Sequence, residues 1–351
     1  MFKNLFKKNI NECLGIDIGT FSLKIVEIEK KGKAMELDNY GEVRIKDAYP
    51  DLPAGKEKNI MTANAEEIAS AIREILIEAK IKSRNAVFSI PDYSTFFTVF
   101  SLPAMTKEEI PEAVKFEAPI HIPLPLSRVT LDWQIVNKSQ KENSPSKILL
   151  VAVPNEIVSK YQEIALLAGL NLVALEAEVF GLIRALVKET EPIILVDIGT
   201  ESTTCSIASN KKLEASHSFD TGGKKMTEAI SRDLNLEYWQ AEKVKKENGI
   251  IYERNVEKSL VPLLNLILGE VREIYNDFLE NDKRKIGKLI LSGGSTLLPG
   301  LKEYFELNLN LKTEIGDPFS QLICPPSLKE TLNKMKPLYA ISVGVALRGL
   351  K

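Results

Sequence analysis

The sequence predicts an α/β protein made of two similar halves that together grip phosphate, and three observations carry that reading. A six-residue core, Asp17-Ile18-Gly19-Thr20-Phe21-Ser22, returns 180 residues on (197 − 17) as Asp197-Ile198-Gly199-Thr200-Glu201-Ser202. Each copy follows a short apolar run (residues 14–16 and 193–196) and precedes a second strand-like run (23–28 and 203–208). Two glycine-rich turns, Asp220-Thr221-Gly222-Gly223-Lys224-Lys225 and Leu291-Ser292-Gly293-Gly294-Ser295-Thr296-Leu297-Leu298-Pro299-Gly300, stand downstream of the second copy.

A strand–turn–strand with Asp at the strand end and Gly-Thr in the turn suits phosphate. The glycine lets backbone N–H groups approach an anion closely. The hydroxyls of Thr20, Ser22, Thr200 and Ser202 can add hydrogen bonds, and the carboxylates of Asp17 and Asp197 can hold Mg²⁺ through water. Two such hairpins facing each other would grip the phosphates of one nucleotide from opposite sides.

The remaining elements follow in order along the chain. Strand-like segments at 23–29 and 34–45 lead to a Pro/Gly loop at 49–56. Thr62 or Asn64 then caps a helix whose apolar set, Ile68, Ala71, Ile72, Ile75, Leu76 and Ala79, recurs at three- and four-residue spacing. Residues 84–154 read as a compact ββαββ insert. Its first β runs are 86–90 and 95–102, and its helix starts at Thr106 with Glu109 completing a capping box. Pro111 falls early enough in that helix to be tolerated. The last two β runs, 129–136 and 147–153, flank a polar loop at 137–146. A helix over 157–167 ends at Gly169 as a C-cap, and a strand at 172–176 leads into a helix at 179–188. After the second hairpin, 225–248 and 259–281 read as helical. The latter carries Leu263, Leu264, Ile267, Val271, Ile274, Tyr275 and Phe278 on one face, with Pro262 acceptable only if the helix begins near Ser259. A strand at 288–291, the glycine-rich turn, a helix, and a final helix after Pro337 complete the chain.

Composition narrows the function classes. A chain of 351 residues can build two domains with their own cores, and 44% hydrophobic with 27% charged residues is an ordinary globular balance. Lys+Arg 46 against Asp+Glu 48 leaves −2, so nothing in the charge argues for a nucleic-acid partner, and none is expected. Cys13, Cys205 and Cys324 form neither a metal spacing nor a disulfide framework. With only His121 and His217 present, most Zn sites and Ser-His-Asp catalysis drop out. No run has the apolar length of a membrane helix and the first ten residues lack a signal-peptide core, so a cytoplasmic location is expected. Residues 1–8 read either as a basic, apolar segment touching a membrane surface or partner, or as a frayed tail.

In the turn after Leu291, an apolar strand runs into Gly-Gly and a helix start. Gly293 and Gly294, lacking Cβ atoms, let backbone pack against a flat ring or an α-phosphate, and the helix N-terminus favours negative charge. The turn at Asp220 either offers backbone N–H groups or the Lys224 charge to phosphates, or is an ordinary strand-to-helix turn.

In this order, the two hairpins, the Thr-Gly-Gly turn and Leu-Ser-Gly-Gly-Ser-x-x-Leu-Pro-Gly resemble the actin-like ATPase superfamily (actin, Hsp70, sugar kinases). Residues 339–347, Tyr-Ala-Ile-Ser-Val-Gly-Val-Ala-Leu, look like its last inter-domain helix, where small residues permit close packing. The insert is similar to that shared by the division protein FtsA and the pilus protein PilM. The PilM family is the nearer match over essentially the whole chain. Phe116-Glu117-Ala118-Pro119-Ile120-His121-Ile122-Pro123-Leu124-Pro125-Leu126, Leu131-Asp132-Trp133-Gln134, Leu150-Val151-Ala152-Val153-Pro154 and Leu167-Ala168-Gly169-Leu170 all fit it. FtsA members continue into a linker and an amphipathic membrane helix, whereas this chain stops at Lys351, so FtsA is the lesser fit.

The resemblance implies an α/β, actin-like two-lobed ATPase fold (duplicated ribonuclease H-like domains) with a ββαββ insert subdomain of the FtsA/PilM type. Residues 11–83 and 155–190 would form the first lobe (1A), 84–154 the insert (1C), 191–224 and 285–351 the second lobe (2A), and 225–284 a helical subdomain (2B). ATP and Mg²⁺ are the implied cofactors. Asp17 and Asp197 match the Mg²⁺-side carboxylates, and Gly19, Thr20, Ser22, Gly199, Thr200 and Thr203 match the phosphate turns. Gly222, Gly223, Gly293 and Gly294, with Ser295, match turns near the ribose and α-phosphate. Lys24 falls where a cation can reach the phosphates, or is a solvated strand lysine. Glu242, Lys245 and Lys246 lie on the helix that flanks the adenine, or form a solvated face. A water-positioning residue would lie near Glu176 or Glu178, either of which can equally be a strand-end or cap carboxylate, so no catalytic residue is assigned.

PilM-type proteins sit at the cytoplasmic face of the inner membrane in type IV pilus or related secretion machines. There they bind the N-terminal cytoplasmic tail of a bitopic membrane protein, PilN, in a groove between insert and first lobe. The resemblance thus implies a peripheral, nucleotide-gated adaptor for a PilN-like tail in a pilus, secretion or competence platform, with other platform or motor proteins and self-association as further contacts. An ATPase with real turnover, an FtsA-like filament former and, remotely, a sugar kinase are the alternatives.

Overall fold

The computed structural model describes residues 10–44, 63–106, 108–136, 145–251, 253–282 and 284–350. The loop expected at 49–56, the N-terminal segment 1–8 and most of the 137–146 loop lie outside the described residues.

The repeat seen in the sequence is a repeat of whole sheets. In the first half, β1 (Glu12–Ile18), β2 (Ser22–Lys31), β3 (Ala34–Arg44), β4 (Asn85–Ile90) and β8 (Asn171–Ala177) pair in the order β3-β2-β1-β4-β8. In the second, β9 (Ile193–Ile198), β10 (Thr203–Ser209), β11 (Lys212–Phe219), β12 (Leu289–Ser292) and β13 (Thr313–Ile315) pair as β11-β10-β9-β12-β13. Both sheets join an antiparallel meander to parallel strands at the central strand of the hairpin. That central strand is apolar along nearly its whole length because both of its faces are covered. The edge strand β11 is absent from the sequence reading: His217, Ser216 and Ser218 dilute its apolar alternation.

The third sheet, β5-β7-β6, contains β5 (Phe96–Leu102), β6 (Val129–Ile135) and β7 (Ser146–Pro154), with α2 (Ile110–His121) against it around Phe100, Val114, Ala118 and Leu150. The strand expected to open the insert, β4, pairs instead with β1 and β8 in the first sheet. The separate layer is therefore βαββ, and its chain leaves the first lobe only after Ile90. Strand β4 is buried on both faces, which suits the middle of a two-sided sheet.

Helices cover the sheets as their apolar faces require. Helix α1 (Ala65–Glu78) is capped by Asn64 in a reciprocal box with Glu67, and buries Ile68, Ile72, Ile75 and Leu76 on the first sheet beside α3 (Asn155–Leu167). Gly169 (φ +69°) follows the α3 C-cap as expected. Helix α2 begins at Ile110, not Thr106. The backbone N–H and hydroxyl of Thr106 donate to the Glu109 carboxylate (2.7 and 2.9 Å), forming a preceding turn and leaving Pro111 in the first helical turn, where its missing N–H costs little.

In the second half, the expected 225–248 helix is two, α5 (Gly223–Leu234) and α6 (Tyr238–Asn248), separated by Asn235 in a left-handed C-cap (φ +52°). Helix α7 (Arg254–Asp282) starts before Ser259 and so holds Pro262 in its interior. The lost hydrogen bond there is offset by a long buried stripe, Val256, Leu260, Leu264, Ile267, Val271 and Phe278. Helices α8 (Leu301–Leu309) and α9 (Lys329–Met335) follow β12 and β13.

Between the two sheets lie α4 (Glu178–Leu186) and α10 (Ala340–Gly349), both almost wholly buried. Their crossing is close, since a Cβ at Gly344 would stand 1.9 Å from the Gly181 carbonyl oxygen, and β1 packs as tightly on α10, where a Cβ at Gly15 would stand 1.8 Å from the Ser342 carbonyl oxygen. Small residues at these positions let both lobes rest on one helix pair.

Candidate functional site

A cavity of about 530 Å³ opens between the lobes, lined from one side by the first hairpin and from the other by the second. The two turns are built alike. The Gly19 N–H donates to the Ser22 carbonyl at 3.1 Å and the Gly199 N–H to the Ser202 carbonyl at 3.0 Å. A Cβ on either glycine would sit 3.0 Å from that same carbonyl.

Of the residues singled out by sequence, Asp17, Gly19, Thr20, Ser22, Lys24, Asp197, Gly199, Thr200, Gly223, Glu242, Lys245, Gly293, Gly294 and Ser295 line the cavity, as do Glu178 and Lys246. Thr203 and Gly222 do not. Thr203 is fully buried and its hydroxyl donates to the Thr221 carbonyl at 2.6 Å. Its neighbour Thr204 faces the cavity instead, because successive strand residues point to opposite sides and Thr204 is the one opposite Asp197.

The Gly222-Gly223 turn has a different use from the one expected. The first N–H groups of α5 donate to the hairpin, Gly223 to the Gly199 carbonyl and Lys224 to the Thr200 carbonyl, both at 2.9 Å. They are spent on holding the turn, and a Cβ at Gly222 would come within 2.6 Å of the Thr200 carbonyl oxygen. The Lys224 ammonium pairs with Glu201 at 3.0 Å. The Gly293-Gly294 turn is followed by a 3₁₀ turn, with a full helix starting only at Leu301 beyond Gly300 (φ +84°). Gly293 (φ +88°) packs where a Cβ would meet the Ile198 carbonyl oxygen at 2.4 Å, whereas Gly294 faces open space.

On α6, Lys245 is buried and donates to the Gly223 carbonyl (2.8 Å) and Thr227 hydroxyl (2.7 Å) while pairing with Glu242 at 2.7 Å. Burial would raise the Glu242 carboxyl, but Lys245 and its neighbours hold it below the usual range. This pair is an internal brace of the cavity wall, not a solvated face. Lys246 extends across the cleft to stand 5.8 Å from the Phe21 ring centroid of the other hairpin.

The electrostatics centre on buried carboxyls. Burial raises the Asp17 pKa, against the opposing pull of Lys24 and of the Ser89 hydroxyl, which donates to Asp17 Oδ1 at 3.0 Å. Burial also pushes Asp197 up to about 6, with Asp17 adding repulsion and Ser292 and Lys24 working against it. Asp197 Oδ1 is buried without a hydrogen-bond partner. Lys24 therefore acts on both aspartates from the cavity wall and is not simply a solvated strand lysine.

The two glutamates at the junction of β8 and α4 separate cleanly. Glu176 is fully buried and clamped by Arg184 (2.5 and 2.7 Å), with Arg348 at 3.4 Å and Arg184 also donating to the Gly344 carbonyl. It ties α4 to α10. Glu178 lines the cavity, and burial and then Asp92, Asp17 and Asp197 lift its pKa well above normal. Asp92, just past β4, was missed by sequence reasoning. Its N–H donates to Glu178 Oε2, and its Oδ1 accepts from the Val179 N–H, both at 3.2 Å. Burial, with Asp197, pushes it up to about 8. The usable signal was Ile90-Pro91-Asp92, an Asp just beyond a strand parallel to the hairpin strand.

Four carboxyls that repel one another, Asp17 and Asp92 buried and Glu178 and Asp197 half-buried, with one orphaned oxygen on Asp197, form a site with unmet demand for positive charge. Among the described residues no three His, Cys, Asp or Glu side chains converge to hold an ion directly. The donor set fits Mg²⁺, which keeps several of its waters and shares its remaining ligands with phosphate oxygens.

A family model described as type IV pilus assembly protein PilM matches residues 15–350. Among solved structures, one described as the PilM-PilN type IV pilus biogenesis complex matches with a TM-score of 0.84 and 27% identity, covering 98% of this chain and 100% of that one. The ethanolamine utilization protein EutJ from Carboxydothermus hydrogenoformans matches with a TM-score of 0.58 and 16% identity over 97% of this chain and 91% of that one. MreB5 of Spiroplasma citri bound to AMPPNP matches with a TM-score of 0.52 and 14% identity over 97% and 96%. These last two share the fold.

Proposed function

This chain belongs to the PilM family of type IV pilus assembly proteins, and we propose that it is a nucleotide-gated adaptor that binds Mg-ATP in its cleft and the N-terminal tail of a PilN-like membrane protein elsewhere on its surface. The observation that carries the nucleotide reading is the pairing of two matched hairpins across one cavity, with Asp17 and Asp197 on facing walls. The hydroxyls of Thr20, Ser22, Thr200 and Thr204 offer donors for phosphate oxygens, and Lys24 offers charge. A bound Mg²⁺ would screen the aspartates from each other and neutralise phosphate charge. Glu178 is the residue we assign to positioning the attacking water, since Glu176 is committed to Arg184.

The partner is inferred from likeness to the PilM-PilN structure over 98% of this chain and 100% of that one. Among the described residues no helix is long and apolar enough to cross a membrane. A PilN-like tail would hold the protein at the inner face of the inner membrane. We divide the chain as 11–90 and 155–190, 191–224 and 285–351, and 225–284, with 91–154 as the insert, since β4 pairs within the first sheet.

The test is a calorimetric titration of the full chain with a peptide copying the PilN-like tail, with and without Mg-ATP. Peptide binding whose affinity shifts with nucleotide supports the adaptor. Nucleotide binding without peptide binding removes the partner, and the absence of Mg-ATP binding, equal in wild type and Asp197→Asn, removes the cleft reading.

A further inference from the structure

Gating requires that the cleft and the insert share an element whose contacts differ between two states. One short segment meets that description. Residues Pro91 to Thr95 join β4, which ends beside the cleft, to β5, which opens the insert. Pro91 and Tyr93 line the cavity. Between them, Asp92 is tied in both directions to the N-terminus of α4, through the Glu178 carboxylate and the Val179 N–H.

The segment is internally stapled. The Ser94 and Thr95 hydroxyls both donate to the Pro91 carbonyl (2.8 and 3.1 Å), and the backbone N–H groups of Ser94 and Thr95 close on Pro91 and Asp92 at 3.1 and 3.0 Å. A turn with this many local bonds moves as a unit. Immediately after it, the Phe97 ring meets the Phe180 ring of α4 edge-on, with centroids 6.0 Å apart. The same turn and β5 lie against β11 of the second lobe, where Lys212 donates to the Val136 carbonyl of the insert at 2.8 Å. The insert is thus braced on α4 from one side and on the second lobe from the other.

We propose that the turn Pro91–Thr95 carries the state of the cleft to the insert, with Asp92 as the positioning residue that couples Glu178 to β5. This rests on the nucleotide reading above. A ligand that draws the lobes together changes what surrounds Glu178 and Tyr93, and the stapled turn passes that change to the first strand of the insert. The Asp92 Oδ2 atom, buried without a partner, leaves the turn poised for a second arrangement.

Hydrogen exchange of the full chain with and without Mg-AMPPNP tests it. In the wild type, nucleotide should protect the hairpins at 17–22 and 197–202 and change exchange in β5 and α2 by about fivefold or more. In Thr95→Val, which keeps side-chain shape and loses one staple, and independently in Ser94→Ala, which loses the other, the hairpins should remain protected while the insert response collapses. Protected hairpins with an unresponsive wild-type insert, or with a response that survives in both variants, overturn the coupling and leave nucleotide binding intact. Unprotected hairpins in the wild type, with no nucleotide bound, remove the cleft reading and this proposal together.

Discussion

Asp17 and Asp197 hold the same register in the two halves, the first opposite Lys24 and the second opposite Thr204 across its hairpin. Each also has a serine beside it from the parallel neighbour strand, Ser89 on β4 and Ser292 on β12. The duplication extends to the side chains around the carboxylates, and it breaks directly opposite them, where a cation stands in the first half and a hydroxyl in the second. A ligand held between them therefore meets an asymmetric field.

The first prediction concerns pH. Burial, with the repulsion of Asp197, pushes Asp92 up to about 8 in the fold, against 3.8 for an ordinary Asp. Below about pH 4 both states are protonated and there is no effect. Between 4 and 8 the unfolded chain ionises while the fold resists, so stability is lost as pH rises, by an amount on the order of several kcal/mol when complete. Asp92→Asn retains an acceptor for the Val179 N–H and removes the penalty. Its thermal midpoint should equal wild type at pH 4 and exceed it increasingly toward pH 8; a difference that does not grow with pH refutes this account.

The helix crossing supplies a second prediction. Gly344→Ala would drive a methyl to 1.9 Å from the Gly181 carbonyl oxygen, a backbone atom that cannot swing away. Overpacking of this kind costs about 1–3 kcal/mol or more. In contrast, Gly269→Ala on the exposed face of α7 meets nothing within 4 Å and should stabilise by roughly 0.5–1 kcal/mol. Denaturant midpoints of the two variants should move in opposite directions.

Glu176 and Glu178, two residues apart, should behave as different kinds of residue. Glu176→Ala leaves Arg184 buried without its carboxylate and should cost about 3–5 kcal/mol. Glu178→Gln keeps shape, relieves repulsion from Asp92, Asp17 and Asp197, and should leave stability equal or raised. Equal destabilisation of both by chemical denaturation contradicts the division of roles.

A fourth prediction separates the neighbouring threonines. Thr203→Val strands the Thr221 carbonyl in the core and should cost about 1–2 kcal/mol with nucleotide affinity unchanged. Thr204→Ala should leave stability within about 1 kcal/mol of wild type and weaken Mg-ATP binding. Isothermal titration and thermal melts on both variants check it; the reverse pattern would restore Thr203 to the site.

Much of the cleft was legible because hairpin chemistry is local. The Gly19–Ser22 and Gly199–Ser202 hydrogen bonds close within four residues, so the motif carries its own geometry. Elsewhere, local signals misled. A Gly-Gly pair before a helix reads as an anion cradle, yet the first N–H groups of α5 are taken by Gly199 and Thr200, more than twenty residues upstream. Pro262 reads as a helix start, yet packing of the long α7 stripe carries the helix past it.

The sequence alone determined the two halves, both phosphate-type turns and the carboxylate pair, since each rests on contacts among residues close in the chain. Only the tertiary structure decided that β4 belongs to the first sheet, that Glu176 is a clamp while Glu178 faces the cleft, and that Asp92 is tied behind it to Glu178 and the start of α4. Those outcomes depend on which strands and helices become neighbours. Burial, which turns a carboxylate either into an arginine's partner or into an unneutralised charge, exists only once the lobes have packed on α4 and α10.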